Sequence, residues 1–298
     1  MTTGVLLMAH GTPASPDEIG AFYTRIRRGR PPEPAQLAEL QGRYRAIGGV
    51  SPLASRTRAQ VDAVRAALER RAPGRYAVSF GAKHTDPLIE EAAAELAAAG
   101  HDQVIALVLT PHSSSMGSQE YLDRAAKELG PSPFVPIGPW YAEPAFVELL
   151  ARRVTAALST VTGRTRVIFT AHSLPERIRA VGDTYPEQLA DSARLVATAA
   201  GLGEWLVAWQ SAGRTPEPWL GPDVRDEVRR LGAERGTESV VICPIGFVAD
   251  HLEVLYDLDV EVARVAGECG LAYARTASLN DDPVFIEVLA DLITAAGS

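Results

Sequence analysis

The chain has 298 residues, of which 46% are hydrophobic and 22% charged, and its formal net charge at pH 7 is −8. That length leaves room for two domains of ordinary size, and no apolar run approaches the roughly 20 residues needed to cross a bilayer. The acidic balance argues against general nucleic-acid binding, and the two cysteines, Cys243 and Cys269, lie outside any CxxC and suit a reducing cytoplasm.

Apolar, β-branched runs bounded by Gly, Pro or Ser predict strands at Val5–Met8, Tyr76–Phe80, Val104–Leu109 and Phe134–Ile137 in the first half. The first run lacks a basic leader and a cleavage site, so it reads as a strand and not as a signal peptide. RIRRGR (Arg25 to Arg30) follows it, and with Arg43, Arg45 and Lys83 forms a basic patch on an acidic chain. Such a patch fits an anionic small ligand as well as it fits a solvated surface. Helices are predicted at Glu90–Ala99 and Gln119–Leu129. In the second half the strands fall at Val167–Thr170, Trp205–Trp209, Ser239–Cys243 and Leu271–Arg275, with helices at Gln188–Ala200, Val224–Glu234 and Leu252–Glu268. This alternation predicts an α/β protein of two flavodoxin-like, doubly wound parallel-sheet domains, residues 1–142 and 143–298, with the last helix (281–296) packing back on the first half.

The halves also repeat. VLLMAHGTP (Val5 to Pro13) returns as VIFTAHSLP (Val167 to Pro175), and WYAEPAFVELLARRV (Trp140 to Val154) returns as LNDDPVFIEVLADLI (Leu279 to Ile293). Each first strand therefore ends in a histidine, and ligands of open α/β sheets bind at strand ends. His10, His84, His112 and His172 all sit at such ends. Neither GxGxxG nor GxxxxGK[ST] is present, which disfavours a dinucleotide or nucleoside triphosphate ligand.

Two stretches add detail. In TAHSLPER, Ser173 and Glu176 have the spacing of a capping box that would start a helix just after His172. In PIGFVADHLEVLYDLDVE, Asp250, Glu253, Asp257 and Glu261 fall on one stripe at about 100° per residue, beside an apolar face of Leu255, Leu258, Val262 and Val265. That stripe reads either as a solvated face with Asp250 and Glu253 capping the helix, or as hard oxygen ligands that guide a divalent cation toward a facing histidine. WQSAGRTPEPWLGP (Trp209 to Pro222) predicts an ordered loop with aromatic walls.

In order and spacing, AHSLPERI, QSAGRTPEPWLGPDV and PIGFVADHLEVLYDLDVE closely resemble the ferrochelatase family, and MAHGTP, IRRGRPPEP, RYRAIGGVSPL and KHTDPLIEEA extend the resemblance over nearly the whole chain. The N-terminal motifs look most like the branch from monoderm bacteria that uses coproporphyrin III. The resemblance implies a class II chelatase that inserts Fe(II) into coproporphyrin III, giving coproheme, with the macrocycle held between two domains. It implies His172 and Glu253 as the catalytic, metal-handling pair and Asp257 and Glu261 as further metal ligands. Arg27, Arg43, Tyr44, Ser51 and Tyr121 match porphyrin contacts, and His10 faces the macrocycle where the branch commonly carries tyrosine. No tightly bound cofactor is implied, because two cysteines cannot supply the four ligands of a 2Fe–2S cluster. A cytoplasmic monomer working beside haem-pathway enzymes is expected. Protoporphyrin IX ferrochelatase, a cobalt or nickel tetrapyrrole chelatase, and a non-catalytic haem or porphyrin carrier are the alternatives.

Overall fold

The computed structural model describes residues 2–297. Its frame is two four-stranded parallel sheets, ordered β2-β1-β3-β4 and β6-β5-β7-β8. The first contains β1 (Thr3–Ala9), β2 (Tyr76–Ala82), β3 (Gln103–Val108) and β4 (Phe134–Pro136); the second contains β5 (Thr165–His172), β6 (Trp205–Gln210), β7 (Ser239–Cys243) and β8 (Ala272–Arg275). The two orders are the same pattern, so the sequence repeats correspond to equivalent places in two equivalent sheets. Thr3 to Met8 are all buried, as expected of a parallel strand covered by helices on both faces.

Three helices connect β1 to β2: α1 (Ile19–Ile26), α2 (Pro34–Ala46) and α3 (Leu53–Arg71). Then α4 (Ile89–Ala98) follows β2, α5 (Ser118–Leu129) follows β3 and α6 (Pro144–Leu158) follows β4. In the second half α7 (Tyr185–Ala199) and α8 (Val224–Ala233) follow β5 and β6. A π-helix, Glu253–Val262, runs into α9 (Ala263–Glu268) after β7, and α10 (Pro283–Ala296) follows β8. Proline in the first turn of α2, α6, α7 and α10 sits where an N–H would lack an intrahelical partner.

The helix after the last strand of each sheet packs on the other sheet. Helix α6 packs on α7, β7 and β8, while α10 packs on α3 and β3, and the two helices also pack on each other. Arg71 and Arg70 of α3 hold Glu287 of α10 at 2.5 and 3.0 Å, and Arg153 of α6 meets Asp282 at 2.6 Å. As a result one core runs from Val5 and Leu7 through Trp140, Phe146 and Phe285 to Val167 and Phe169. Phe285 is fully buried, with its ring 5.9 Å from that of Trp140. Phe285→Ala is expected to cost about 3–5 kcal/mol of stability, the range for emptying a large aromatic site. Denaturant unfolding would measure it, and a loss under about 1 kcal/mol would contradict a shared core. Among the described residues no helix is long and apolar enough to cross a membrane.

Candidate active site

The ends of β1, β2, β5, β6 and β7 meet where the two halves face each other. On the second half, His172 is the last residue of β5. Its Nδ1 lies against the Ser173 carbonyl; a carbonyl only accepts, so Nδ1 carries the hydrogen and Nε2 is left for the site. That Nε2 is 3.6 Å from Glu253 Oε1, with side-chain exposures of 34% and 36%, so an incoming ion can reach both groups. Such a distance is an ion pair, longer than a hydrogen bond. His251 repeats the arrangement from the other side: its Nδ1 donates to the Ala249 carbonyl at 2.9 Å, and its Nε2 lies 3.7 Å from Glu253 Oε2. Glu253 is thus bracketed by two imidazoles. Desolvation alone would raise its carboxyl, yet His172 and then His251 hold it well below the usual range. Desolvation also opposes the His172 imidazolium, and the Glu253 carboxylate overrides it, raising His172 to about 9.

The positions of these groups have local causes. Gly246 N–H bonds the Thr170 carbonyl at 3.1 Å, and a Cβ on Gly246 would meet Ala171 Cβ at 2.5 Å, so only glycine lets the loop after β7 press onto β5. Buried Gln210, at the end of β6, accepts from Thr170 Oγ1 at 2.8 Å and donates to the Glu253 carbonyl at 3.1 Å. Tyr185 donates its hydroxyl to the His172 carbonyl at 3.0 Å. Across the two halves, Asp183 accepts from Ser114 Oγ, Ser115 N and Ser115 Oγ at 3.0, 2.7 and 2.6 Å. The stretch Trp209–Pro222 supplies walls and clamps: Trp219 pairs with Pro175, and the Leu220 carbonyl accepts from Ser173 Oγ at 2.7 Å.

That last bond corrects the capping expectation. Ser173 does not cap a helix with Glu176; the turn Glu176–Val181 is a short 3₁₀ segment starting after Pro175. Asp250 likewise leaves the acidic stripe. It precedes the helix and is bound by Ser278 at 2.7 Å and Asn280 at 2.9 Å. Glu253 caps nothing either, since no side-chain cap bond forms at that helix start. The remaining row, Glu253, Asp257 and Glu261, lies on a π-helix whose i→i+5 bonds widen the turn. Every fourth residue is buried on its apolar side (Val254, Leu258, Val262), and Leu255 is only half-buried. Asp257 is buried, accepts from Ser211 and lies 3.6 Å from Arg43; desolvation first and Glu253 second push it up to about 6. Glu261 pairs with Arg225 at 3.3 Å.

On the first half, β1 and β2 extend past their last paired residues. Lys83 N–H bonds the Ala9 carbonyl at 2.9 Å and His84 N–H bonds the His10 carbonyl at 3.1 Å. The His10 and His84 rings therefore sit side by side, centroids 4.7 Å apart. His10 Nδ1 donates to the Gly11 carbonyl at 3.1 Å, leaving Nε2 without a hydrogen-bond partner among the described residues. The ring is open to solvent, yet the surrounding protein lowers its pKa, while Glu253 acts on it from across the gap and pulls the other way. His84 is lowered to about 3 by burial and by His10.

The expected porphyrin contacts divide. Arg43 bridges the halves, with its guanidinium 3.2 Å from Glu39 and over the Tyr256 ring at 5.3 Å. Tyr44 is buried, its hydroxyl 3.4 Å from Thr12 Oγ1. Tyr121 is buried beneath Lys83, whose Nζ is 5.1 Å from the ring centre. Ser51 accepts from Leu53 N at 3.3 Å, at the start of α3. Arg27 stands apart at the end of α1, over Tyr23 and bonded to the Arg30 carbonyl at 3.3 Å. His112 is not in this group; it is buried against Tyr141. Among the described residues no three His, Cys, Asp or Glu side chains converge into a closed metal cage.

A family model described as Ferrochelatase matches residues 2–296. The chain belongs to the ferrochelatase family. The proteins similar to this ferrochelatase-family chain include the coproporphyrin III ferrochelatase of Geobacillus thermodenitrificans, 45% identical over 300 residues, covering 98% of this chain and 95% of that protein. That of Bacillus subtilis is 44% identical over 298 residues, covering 97% and 96%. Among solved structures, SirB from Bacillus subtilis with Fe3+ matches with a TM-score of 0.64 at 12% identity, covering 100% of this chain and 96% of that one. CbiX, the terminal enzyme for biosynthesis of siroheme in denitrifying bacteria, matches with a TM-score of 0.56 at 18% identity, covering 99% and 100%. These two share the fold with this ferrochelatase-family chain.

Proposed function

We propose that the chain inserts ferrous iron into coproporphyrin III, with His172 and Glu253 as the residues that receive the ion and move the protons. The observation that carries the reading is the His172 Nε2–Glu253 Oε1 pair, 3.6 Å apart at the end of β5 and partly open to solvent. Near-full-length relatives named for this activity support the choice of substrate.

Insertion removes two pyrrole protons from the macrocycle as the divalent ion enters it, so the site must offer a neutral lone pair and a route for protons. In the resting protein Glu253 keeps His172 protonated; iron arriving at Nε2 competes with that proton and displaces it. Once the ion has passed on to the macrocycle, the freed Nε2 of His172 takes up a pyrrole proton, with the ring held by its Nδ1 contact with Ser173. Glu253, ionised between His172 and His251, carries protons away from the pair. Asp257 and Glu261 extend the row of carboxylates along the π-helix and lead a hydrated cation to Glu253.

Arg27 and Arg43 take substrate carboxylates, Arg43 by exchanging Glu39 and Asp257 for a propionate. Four propionates should use such arginines better than two, so kcat/KM for coproporphyrin III is expected to exceed that for protoporphyrin IX, and Arg43→Ala to narrow the gap. A higher kcat/KM for protoporphyrin would contradict the substrate assignment and leave the family intact.

His10 would ligate the iron of the bound product from the face opposite His172, a reading supported by the Nδ1 contact that turns Nε2 outward and by its weakly held proton. The ferric product complex is then expected to show a histidine-type spectrum that His10→Ala removes and His10→Tyr converts to a phenolate type. An unchanged spectrum in His10→Ala would contradict the ligation.

A further inference from the structure

We propose that the first half carries a separate site for a hydrogen-phosphate group, independent of the iron-handling pair. A cavity of about 230 Å³ opens at the C-terminal ends of β3 and β4, beside the start of α5. It shares no lining residue with His10, His84, His172 or Glu253. His112 lines it, is 2% exposed, and has no hydrogen-bond partner for either ring nitrogen among the described residues. Its ring is fixed by stacking on Tyr141 at 5.4 Å and by the edge of Tyr185 at 6.3 Å. Leaving two buried polar atoms unpaired is costly, and native proteins rarely do so; the ring is built to meet a polar guest.

The rest of the lining says which guest. Among the described residues no Asp, Glu, Lys or Arg lines the cavity, so no carboxylate repels an anion there. Ser118 opens α5, a helix of 12 residues with no side-chain cap at its start, and the first turn of such a helix attracts an oxyanion. Ser118 Oγ accepts from Ser114 N at 3.1 Å and donates to Ser113 Oγ at 3.0 Å. The Ser113 hydroxyl hydrogen is then the free end of this relay, and Thr110 adds a second hydroxyl to the wall. Burial keeps His112 neutral, so one ring nitrogen donates and the other accepts. A hydrogen-phosphate group satisfies both at once, through an oxygen and an O–H. Sulfate offers oxygens only, and acetate lacks the O–H as well.

The test follows the histidine ring nitrogens of the isotope-labelled, full-length protein by NMR at pH 7 during titration with inorganic phosphate, with sulfate in parallel. His112→Gln assigns the His112 signals by their loss, so phosphate held elsewhere by arginines does not confuse the reading. The site predicts a saturable shift at His112 with phosphate, binding at least about tenfold weaker for sulfate, and a weakening of about tenfold for phosphate in Ser113→Ala, the loss of roughly one hydrogen bond to a charged group. Should Ser113→Ala melt early, Thr110→Val replaces it as the variant that removes a lining hydroxyl. A phosphomonoester that shifts His112 as phosphate does identifies an esterified source, and one that does not identifies free phosphate; both agree with the site. No shift at His112 with phosphate, equal binding of sulfate, or undiminished binding in the folded hydroxyl-deletion variant would overturn it.

Discussion

His172→Ala is expected to lower kcat for iron insertion by about 10²–10⁴-fold, the range for removing a positioned acid–base group, while porphyrin binding and the fold survive. The substitution removes the Nε2 that pairs with Glu253 at 3.6 Å and is to receive the ion. The supports of the site remain: the Tyr185 hydroxyl bonds the backbone carbonyl of residue 172, and Gln210 ties the Glu253 backbone to β5. Steady-state rates with ferrous iron, together with porphyrin titration by absorbance, separate the two effects. A variant with near-normal kcat would remove His172 from the chemistry, and one that no longer binds porphyrin would make it a structural residue.

Glu253→Gln is expected to slow insertion by about 10²-fold or more, since an amide neither ionises nor relays a proton. The change nearly conserves shape, but it strips His172 of the charge that raises its pKa. Without it, desolvation should lower the His172 pKa. The imidazole proton that is now held at neutral pH would be lost, and NMR of the ring nitrogens would register the change. Full activity in Glu253→Gln, or an unmoved His172 titration, would leave Glu253 no part in the reaction.

The strands were legible because a parallel strand buried on both faces is a continuous apolar run, as in Val5–Met8 and Ser239–Cys243. Helices α1 to α3 were not. Helix α3 buries Thr57 and Gln60 among its valines, and Gln60 spends its amide on the Asn280 carbonyl at 2.8 Å, a use that no apolar periodicity records. The return of the last helix to the first half was expected from the sequence, and α10 does pack on α3 and β3, whereas the matching placement of α6 on the second sheet left only its repeat there. The acidic row was legible from residue 253 onward, whereas Asp250 was misplaced because a spacing of three suits an α-helix that has not yet begun there. His251 escaped for a related reason. Residues two apart on a helix do not share a face, but His251 precedes the π-helix and turns back to Glu253. Its signal was its place inside HLEVLYD. Ser173 and Glu176 had the spacing of a cap, and the aromatic loop Trp209–Pro222 claimed the serine instead.

Mixing the intact protein anaerobically with ferrous iron and coproporphyrin III, and following the porphyrin absorbance through many turnovers, tests the account most directly. It predicts catalytic conversion to the iron product, with two protons released per macrocycle metallated and with loss of conversion in His172→Ala. Tight binding of coproporphyrin with no metallation, while His172 and Glu253 are both intact, would contradict it and make the protein a carrier.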